Sequence, residues 1–263
     1  MKPQNILIAY TSPTSKEQHL TLKEVSSVLR ENNIGFVLIS RDNLNDKITK
    51  SKDLIITIGG DGTFLKAASH VFDNTPILGV NSDPMHKEGF FLTATRKDFK
   101  RKFKAILLGK NKTRKLQRLE ARIGNKKIPK LALNEFYVAT EKPYLTARYY
   151  LKVGRIRERQ KSTGILVSTA AGSHSWAKSA GGKPLPIESD RFEYVVREQY
   201  CGRITGKCRL RKGILSRNEK IEIEFEFGHG VIIADSWGTE YKFKAGEKVT
   251  IKQAKKPIMQ AYF

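Results

Sequence analysis

Three glycines, an aspartate and a threonine fill five consecutive positions, Gly59-Gly60-Asp61-Gly62-Thr63, immediately after the apolar run Leu54-Ile55-Ile56-Thr57-Ile58. Glycines this dense let a backbone approach a ligand closely and accept positive φ. Free amides in such a loop, and at the start of the helix that follows, form a cradle for an anion. The spacing fits neither a Walker loop nor a G-x-G-x-x-G fingerprint. Asp61 is the odd member, because a carboxylate among phosphate-binding amides repels phosphate. It must answer to a cation or to a substrate hydroxyl. In phosphoryl transfer an aspartate beside the nucleophile accepts the hydroxyl proton while Mg²⁺ balances the phosphate charge. The plainer alternative is a helix cap or turn former. The strand–loop–helix setting favours chemistry, since parallel sheets bind ligands at the carboxyl ends of their strands.

Further along, Asn134-Glu135 offers acceptors and an amide donor suited to a ligand's hydroxyl and amide groups. Trp176 offers a flat face for an aromatic base, and equally suits the core beneath a sheet. Lys66, on the helix after the loop, can meet an anion or simply be solvated. Other chemistries find no support. His19, His70, His86, His174 and His229 form no H-x-x-x-H pair, so a zinc hydrolase is not expected. Ser168 and Ser173 sit in no G-x-S-x-G elbow. Cys201 and Cys208, seven apart with no second pair, suggest neither a metal site nor a disulfide scaffold; free thiols in a reducing compartment are expected.

The elements that must hold these residues fall into two patterns. Strand-like runs at Ile6–Tyr10, Phe36–Ile39, Leu54–Ile58 and Pro76–Val80 alternate with helix-like segments. Ser15-Lys16-Glu17-Gln18 fits a capping box, followed by Leu22, Val25 and Leu29 at helical spacing to about Asn32. A helix is predicted from Thr63 to about Phe72, and Phe99, Phe103, Ile106 and Leu107 share one face of a later basic helix. Such alternation implies a parallel sheet covered by helices. After about Lys110 short strands take over, at 116–123, 127–140, 145–156, 164–169, 191–197, 220–227, 229–235, 240–244 and 247–252. Gly124-Asn125 suggests a hairpin turn, and one helix interrupts the series near 173–180. This second pattern reads as a β-sandwich.

Composition sets the outer limits. The 263 residues carry 49 Lys+Arg against 26 Asp+Glu, a formal charge of +23, with 39% hydrophobic residues, enough for a packed core. No run approaches the roughly 18 apolar residues of a membrane-spanning helix, so no membrane partner is expected. Met1-Lys2-Pro3 leads directly into a strand pattern without a leader-like segment, and a cytoplasmic location is expected. Fifteen basic and two acidic residues between Arg96 and Lys130 give that stretch a charge of +13. It is read as a solvated helix face with exposed strands, or as a field attracting polyanions, nucleotides included.

Gly59–Thr63 resembles the GGDGT signature shared by NAD kinases, lipid kinases of the diacylglycerol and sphingosine type, and phosphofructokinases. Asn134-Glu135, the loop Ser168-Thr169-Ala170-Ala171-Gly172-Ser173, and Val231–Gly238 with Asp235 are similar, in this order, to NAD kinase motifs. Asn81-Ser82-Asp83-Pro84 with Glu88-Gly89, and Lys161-Ser162-Thr163-Gly164, resemble the mitochondrial-type branch. Most bacterial members have an Asp at the Thr163 position and Thr-Ala-Tyr at His174-Ser175-Trp176. The resemblance implies ATP-dependent phosphorylation of the 2′-hydroxyl of the adenosine ribose of NAD, giving NADP. It makes Asp61 the proton acceptor, flanked by Gly59, Gly60, Gly62 and Thr63. It places Lys66, Asn81, Asn134, Glu135, Lys161 and Thr163 against substrate, with His174, Ser175, Trp176, Ala177, Lys178 and Ser179 at the adenine and ribose. Mg²⁺ accompanies ATP, with no protein metal ligands named. NAD is expected in the cleft between domains of a homodimer or homotetramer, and nucleic acid is not the expected partner. The expected architecture is α/β + β. An N-terminal Rossmann-like domain (1–110) carries the loop, and a C-terminal β-sandwich-like domain (111–263) binds the dinucleotide, its last residues free to pack back on the first. A same-superfamily kinase acting on a lipid or other hydroxyl, and a non-catalytic polyanion binder, are the alternatives.

Overall fold

The computed structural model describes residues 3–142, 144–203, 205–206, 208–235 and 239–263. The chain divides into one unit of Met1–Lys115 with Ile258–Phe263 and a second of Leu116–Pro257.

The first unit is built on a sheet in the order Phe36–Ser40, Ile6–Tyr10, Leu54–Gly59, Pro76–Asn81, Ile258–Tyr262, Lys112–Leu116, with Ala94–Thr95 beside Pro76–Asn81. Pairing from Phe36–Ser40 through Ile258–Tyr262 is parallel. The central strands are almost wholly buried, which is why they read as unbroken apolar runs. Ser15 caps the helix Lys16–Glu31 by accepting from the Gln18 amide. The reciprocal half of the predicted capping box is shifted by one residue: Gln18 Oε1 accepts from the Thr14 amide. Val25 and Leu29 from this helix, with Phe99 and Phe103 from Phe99–Leu107, join Ile6, Ile8, Ile56, Ile58, Leu78 and Val80 in one core. Part of the basic stretch is neutralised here, Arg96 by Glu17, Lys100 by Glu31 and Lys102 by Asp98.

The second unit carries two six-stranded sheets. One runs Ile156–Ser162, Ala147–Val153, Lys220–Phe225, Lys248–Gln253, Leu119–Ile123, Lys126–Lys127; the other runs Lys212–Leu215, Phe192–Arg197, Gly164–Thr169, Glu135–Thr140, His229–Ala234, Tyr241–Lys244. Tyr149, Leu151, Ile223 and Ile251 of the first meet Phe136, Val138, Ile165 and Val167 of the second in a single core. That is a β-sandwich, the α/β + β class anticipated above.

Several boundaries differ from the sequence reading. The expected strand 127–140 is two, Lys126–Lys127 and Glu135–Thr140. The expected strand 145–156 ends at Val153, turns at Gly154 (φ 58°), and returns as Ile156–Ser162. The return strand has charged 157, 159 and 161 outward and polar Glu158, Gln160 and Ser162 inward, so no apolar alternation betrays it. The helix after the glycine loop spans Asp61–Ala68, starting within the motif. The cysteines are not free thiols: Cys201 and Cys208 are disulfide-bonded, with Cα atoms 5.9 Å apart. Their loop folds back because the Gly206 amide donates to the Gly202 carbonyl at 3.0 Å, a turn that a spacing of seven does not reveal. Of the segment Val231–Gly238, residues 236–238 lie outside the described residues.

Candidate active site

In the first unit, Leu54–Gly59 delivers the glycine loop to its carboxyl end, with Gly59 in register beside Asn81. Gly60 caps the helix Asp61–Ala68, so amides 61–63 belong to its first turn. Gly59 is required sterically, because a Cβ there would collide with the Thr63 hydroxyl. That hydroxyl is buried and hydrogen-bonded to Thr11 Oγ1 at 2.5 Å, so Thr63 pins the loop from beneath.

Asp61 is neither the helix cap nor a simple turn former. Its Oδ1 accepts from the Phe91 amide at 2.7 Å and its Oδ2 from the Phe90 amide at 3.0 Å. The Phe91 ring stacks on Phe64 of the same helix, centroids 5.1 Å apart, which fixes the donating turn. Each carboxylate oxygen has two acceptor sites, so two amides orient the group while leaving capacity for a hydroxyl.

Asn81 spends its side chain internally. Its Oδ1 accepts from the Asp83 amide at 3.0 Å and its Nδ2 donates to the Lys87 carbonyl at 3.1 Å. It therefore shapes the 81–89 turn. That turn presents Lys87, which the sequence reading passed over. The Lys87 stem lies over Gly60, where a Cβ would sit 3.3 Å from its Cδ, and its ammonium donates to Ser82 Oγ at 2.8 Å. Burial lowers the Lys87 pKa, partly opposed by Asp83. Lys66 is half-buried on the same helix as Asp61.

In the second unit Asn134-Glu135 is built around Asp235. The Asp235 carboxylate accepts from the amides of Leu133 (2.8 Å), Asn134 (2.7 Å) and Glu135 (3.2 Å). Its backbone is left-handed at φ 51°, an uncommon conformation for a non-glycine residue. Burial raises Asp235 to about 6 against those three amides and the attraction of Arg118. Arg118, also buried, is lowered to about 10 by desolvation and raised by Asp235, and its Nε donates to the Lys256 carbonyl at 2.8 Å. On the other side, the 168–172 loop closes on Asn134: the Thr169 amide donates to the Asn134 carbonyl at 2.8 Å, and a Cβ on Gly172 would overlap that carbonyl.

This scaffold leaves two buried atoms, Asn134 Oδ1 and Glu135 Oε2, without a hydrogen-bond partner among the described residues. Burial, reinforced by Asp235, pushes the Glu135 carboxyl up to about 8. Asp235→Asn would aim an amide group at backbone donors and remove the charge opposite Arg118. We expect it to destabilise the chain by at least about 2 kcal/mol, read as a lowered Tm. A Tm equal to wild type would show that this carboxylate does not hold the Asn134-Glu135 turn.

Trp176 is half-buried, its ring 4.8 Å from that of Tyr137 and 4.9 Å from the guanidinium carbon of Arg197. Thr163 donates its hydroxyl to the Glu198 carboxylate, and its carbonyl accepts from Tyr137 Oη at 2.9 Å. Glu198 has left-handed backbone, with φ 39°. No sequence signal marked Tyr137, Arg197, Glu198 or Arg118, since each becomes notable only through its neighbours. His174 Nε2 lies 2.8 Å from the Leu185 carbonyl, Ala177 is buried, and Ser175, Lys178 and Ser179 are exposed. Lys161 lies with its ammonium 4.5 Å from the Tyr200 ring centroid.

The first unit carries a glycine-lined helix start with an oriented carboxylate, and the second carries buried acceptors without a partner among the described residues. Residues 6–110 match the family model described as the ATP-NAD kinase N-terminal domain. The NAD kinase of Methanopyrus kandleri is 32% identical over 210 residues, 78% of this chain and 71% of that protein. The NADH kinase of Arabidopsis thaliana is 25% identical over 278 residues, covering 97% and 86%. The crystal structure of an Archaeoglobus fulgidus NAD kinase in complex with ATP superposes with a TM-score of 0.80 at 21% identity, covering 97% of this chain and 92% of that one. This chain belongs to the NAD kinase family, and it is a kinase.

Proposed function

We propose that the protein transfers the γ-phosphoryl group of ATP to the 2′-hydroxyl of the adenosine ribose of NAD or NADH, giving the corresponding NADP form. The observation that carries this reading is the Asp61 carboxylate, oriented by the amides of Phe90 and Phe91 at the mouth of a glycine-lined helix start. Asp61 takes the proton of the 2′-hydroxyl, the ribose oxygen bonds to the γ-phosphorus, and the bond to the departing ADP oxygen breaks. Amides of the Gly59–Thr63 loop, with Lys87 and Lys66, receive phosphate oxygens. Asn134 and Glu135 receive hydroxyl or carboxamide donors of the dinucleotide, and their unpartnered buried oxygens support that role. The aromatic pair Tyr137–Trp176 with Arg197, and the Thr163–Glu198 pair, border the dinucleotide.

Mg²⁺, when bound with the triphosphate, would balance its charge. Ions of this kind are held by one or two carboxylates plus phosphate oxygens.

Incubation with ATP, Mg²⁺ and either NAD or NADH is expected to yield NADP or NADPH. Phosphorylation of a lipid acceptor without either product would overturn the reading. Lys87→Ala is expected to raise the KM for ATP about tenfold, the effect of one charge-assisted phosphate contact, with a smaller change in kcat. An unchanged KM would remove Lys87 from the phosphate site. A homodimer or homotetramer is proposed for the assembly, with sedimentation velocity as the check.

A further inference from the structure

The outward face of the sheet holding Ala147–Val153 and Ile156–Ser162 follows a simple electrostatic rule. Lys152 pairs with Glu222, Arg157 with Glu224, Arg159 with Glu226, Lys248 with Glu222 and Lys252 with Glu120. On Ala147–Val153 and Ile156–Ser162 each cation meets a carboxylate except at one end. There Arg148 and Lys161 stand directly opposite each other, like charge against like, and neither has an ion-pair partner among the described residues. Such a pairing is unfavourable by itself. A third cation joins them: Arg203 comes from the loop closed by the Cys201–Cys208 disulfide and likewise has no ion pair among the described residues.

These three groups border one cavity of about 340 Å³, together with Arg159, Tyr200 and Thr205. Tyr200 fixes the geometry, its amide donating to the Lys161 carbonyl at 2.8 Å while its ring lies beside the Lys161 ammonium. Nearby carboxylates are already engaged. Glu226 holds Arg159, Glu158 accepts from the amides of Arg209 and Leu210, and Glu198 accepts from Thr163. Three uncompensated cations converging on a small enclosed space are stabilised by an anion carrying more than one charge on adjacent centres. Arginine forks match phosphate oxygens in particular.

We propose that this cavity binds a diphosphate-type anion, gripped by Arg148, Lys161 and Arg203 and walled by Tyr200 and Thr205. The resemblance to NAD kinases marked only Lys161 of these. The diphosphate can be the bridge of a dinucleotide or a separate molecule, and the chemistry of the grip is the same.

Calorimetric titration of the intact protein with inorganic pyrophosphate at moderate salt tests the proposal without reading turnover, so it succeeds or fails apart from the kinase assignment. One-to-one binding is expected, weakened about tenfold or more by Arg148→Ala or Arg203→Ala, each removing one charged contact. Lys152→Ala, in the compensated part of the ladder, is expected to leave it unchanged. Absence of saturable binding, or equal weakening by Lys152→Ala, would overturn the site in favour of diffuse surface charge. Repeating the titration at saturating NAD separates the sources, and both results support the site: competition assigns the dinucleotide's own diphosphate, simultaneous binding a separate ligand. Reducing the disulfide with a dithiol, which is itself oxidised to its cyclic disulfide, is expected to weaken binding severalfold by releasing Arg203. Unchanged affinity would refute the role of the loop.

Discussion

Asp61→Asn is expected to lower kcat by about 10²–10⁴ while moving the KM for the dinucleotide only slightly, the pattern left by losing a general base used in the transition state. The substitution is nearly isosteric, and its Oδ1 can still accept one of the two amides that hold the native carboxylate. Its Nδ2 then faces the other amide, donor against donor, at a cost of about 1–3 kcal/mol. A modest fall in Tm therefore accompanies the loss of turnover, and circular dichroism separates the two effects. Asp61→Ala leaves both amides of the 90–91 turn without their acceptor, so it confounds folding with chemistry and makes the weaker test. Wild-type turnover in the Asn variant would reduce Asp61 to a clamp on the Phe90–Phe91 turn and remove the mechanism with it.

Glu135 carries the second large expectation, a pH dependence. In the unfolded chain its carboxyl titrates near 4.5, and in the folded chain near 8, because burial and Asp235 disfavour the charge. A carboxyl raised in this way contributes most to stability below pH 4.5, and that contribution is lost as pH climbs toward 8. Glu135→Gln is therefore expected to melt above the wild type at pH 8, with the gap closing toward pH 4.5. Binding has the opposite sign. Ligand hydroxyls that donate to Glu135 favour the ionised form, so affinity for the dinucleotide is expected to rise with pH, by up to about tenfold per unit, and to level off above 8. In the Gln variant this component of the slope disappears, which separates it from Asp235, raised to about 6. Identical pH profiles for the two proteins would exclude Glu135 from the ligand contact. An affinity that falls with pH only in the wild type would mean that the protonated carboxyl is the donor.

Both residues stand out as candidates in the sequence itself, and for a physical reason. Asp61 is marked by its immediate neighbours, since only glycines permit that loop and only a special task keeps an acid within it. The parallel sheet was equally legible, because strands buried on both faces are apolar at nearly every position, as Leu54–Gly59 is. Glu135 became readable only through its distance from Asp61 and its order among other motifs. Ile156–Ser162 escaped notice because its inner positions are polar, with Gln160 and Ser162 buried and satisfied by hydrogen bonds that sequence periodicity cannot register.

The amino-acid order alone determined the two-part architecture, the glycine loop and its acid, because these depend on local periodicity and on backbone freedom within a few residues. Tertiary structure alone decided what surrounds them. Residue 235 folds back to grip the amides of 133–135, Glu198 meets Thr163, Arg197 lies over Trp176, and Cys201 joins Cys208. The first three pairs join groups about 100, 35 and 21 residues apart in the chain, and the last depends on one tight turn. Their energies come from burial and from the proximity of charges, quantities that exist only once the chain has closed on itself.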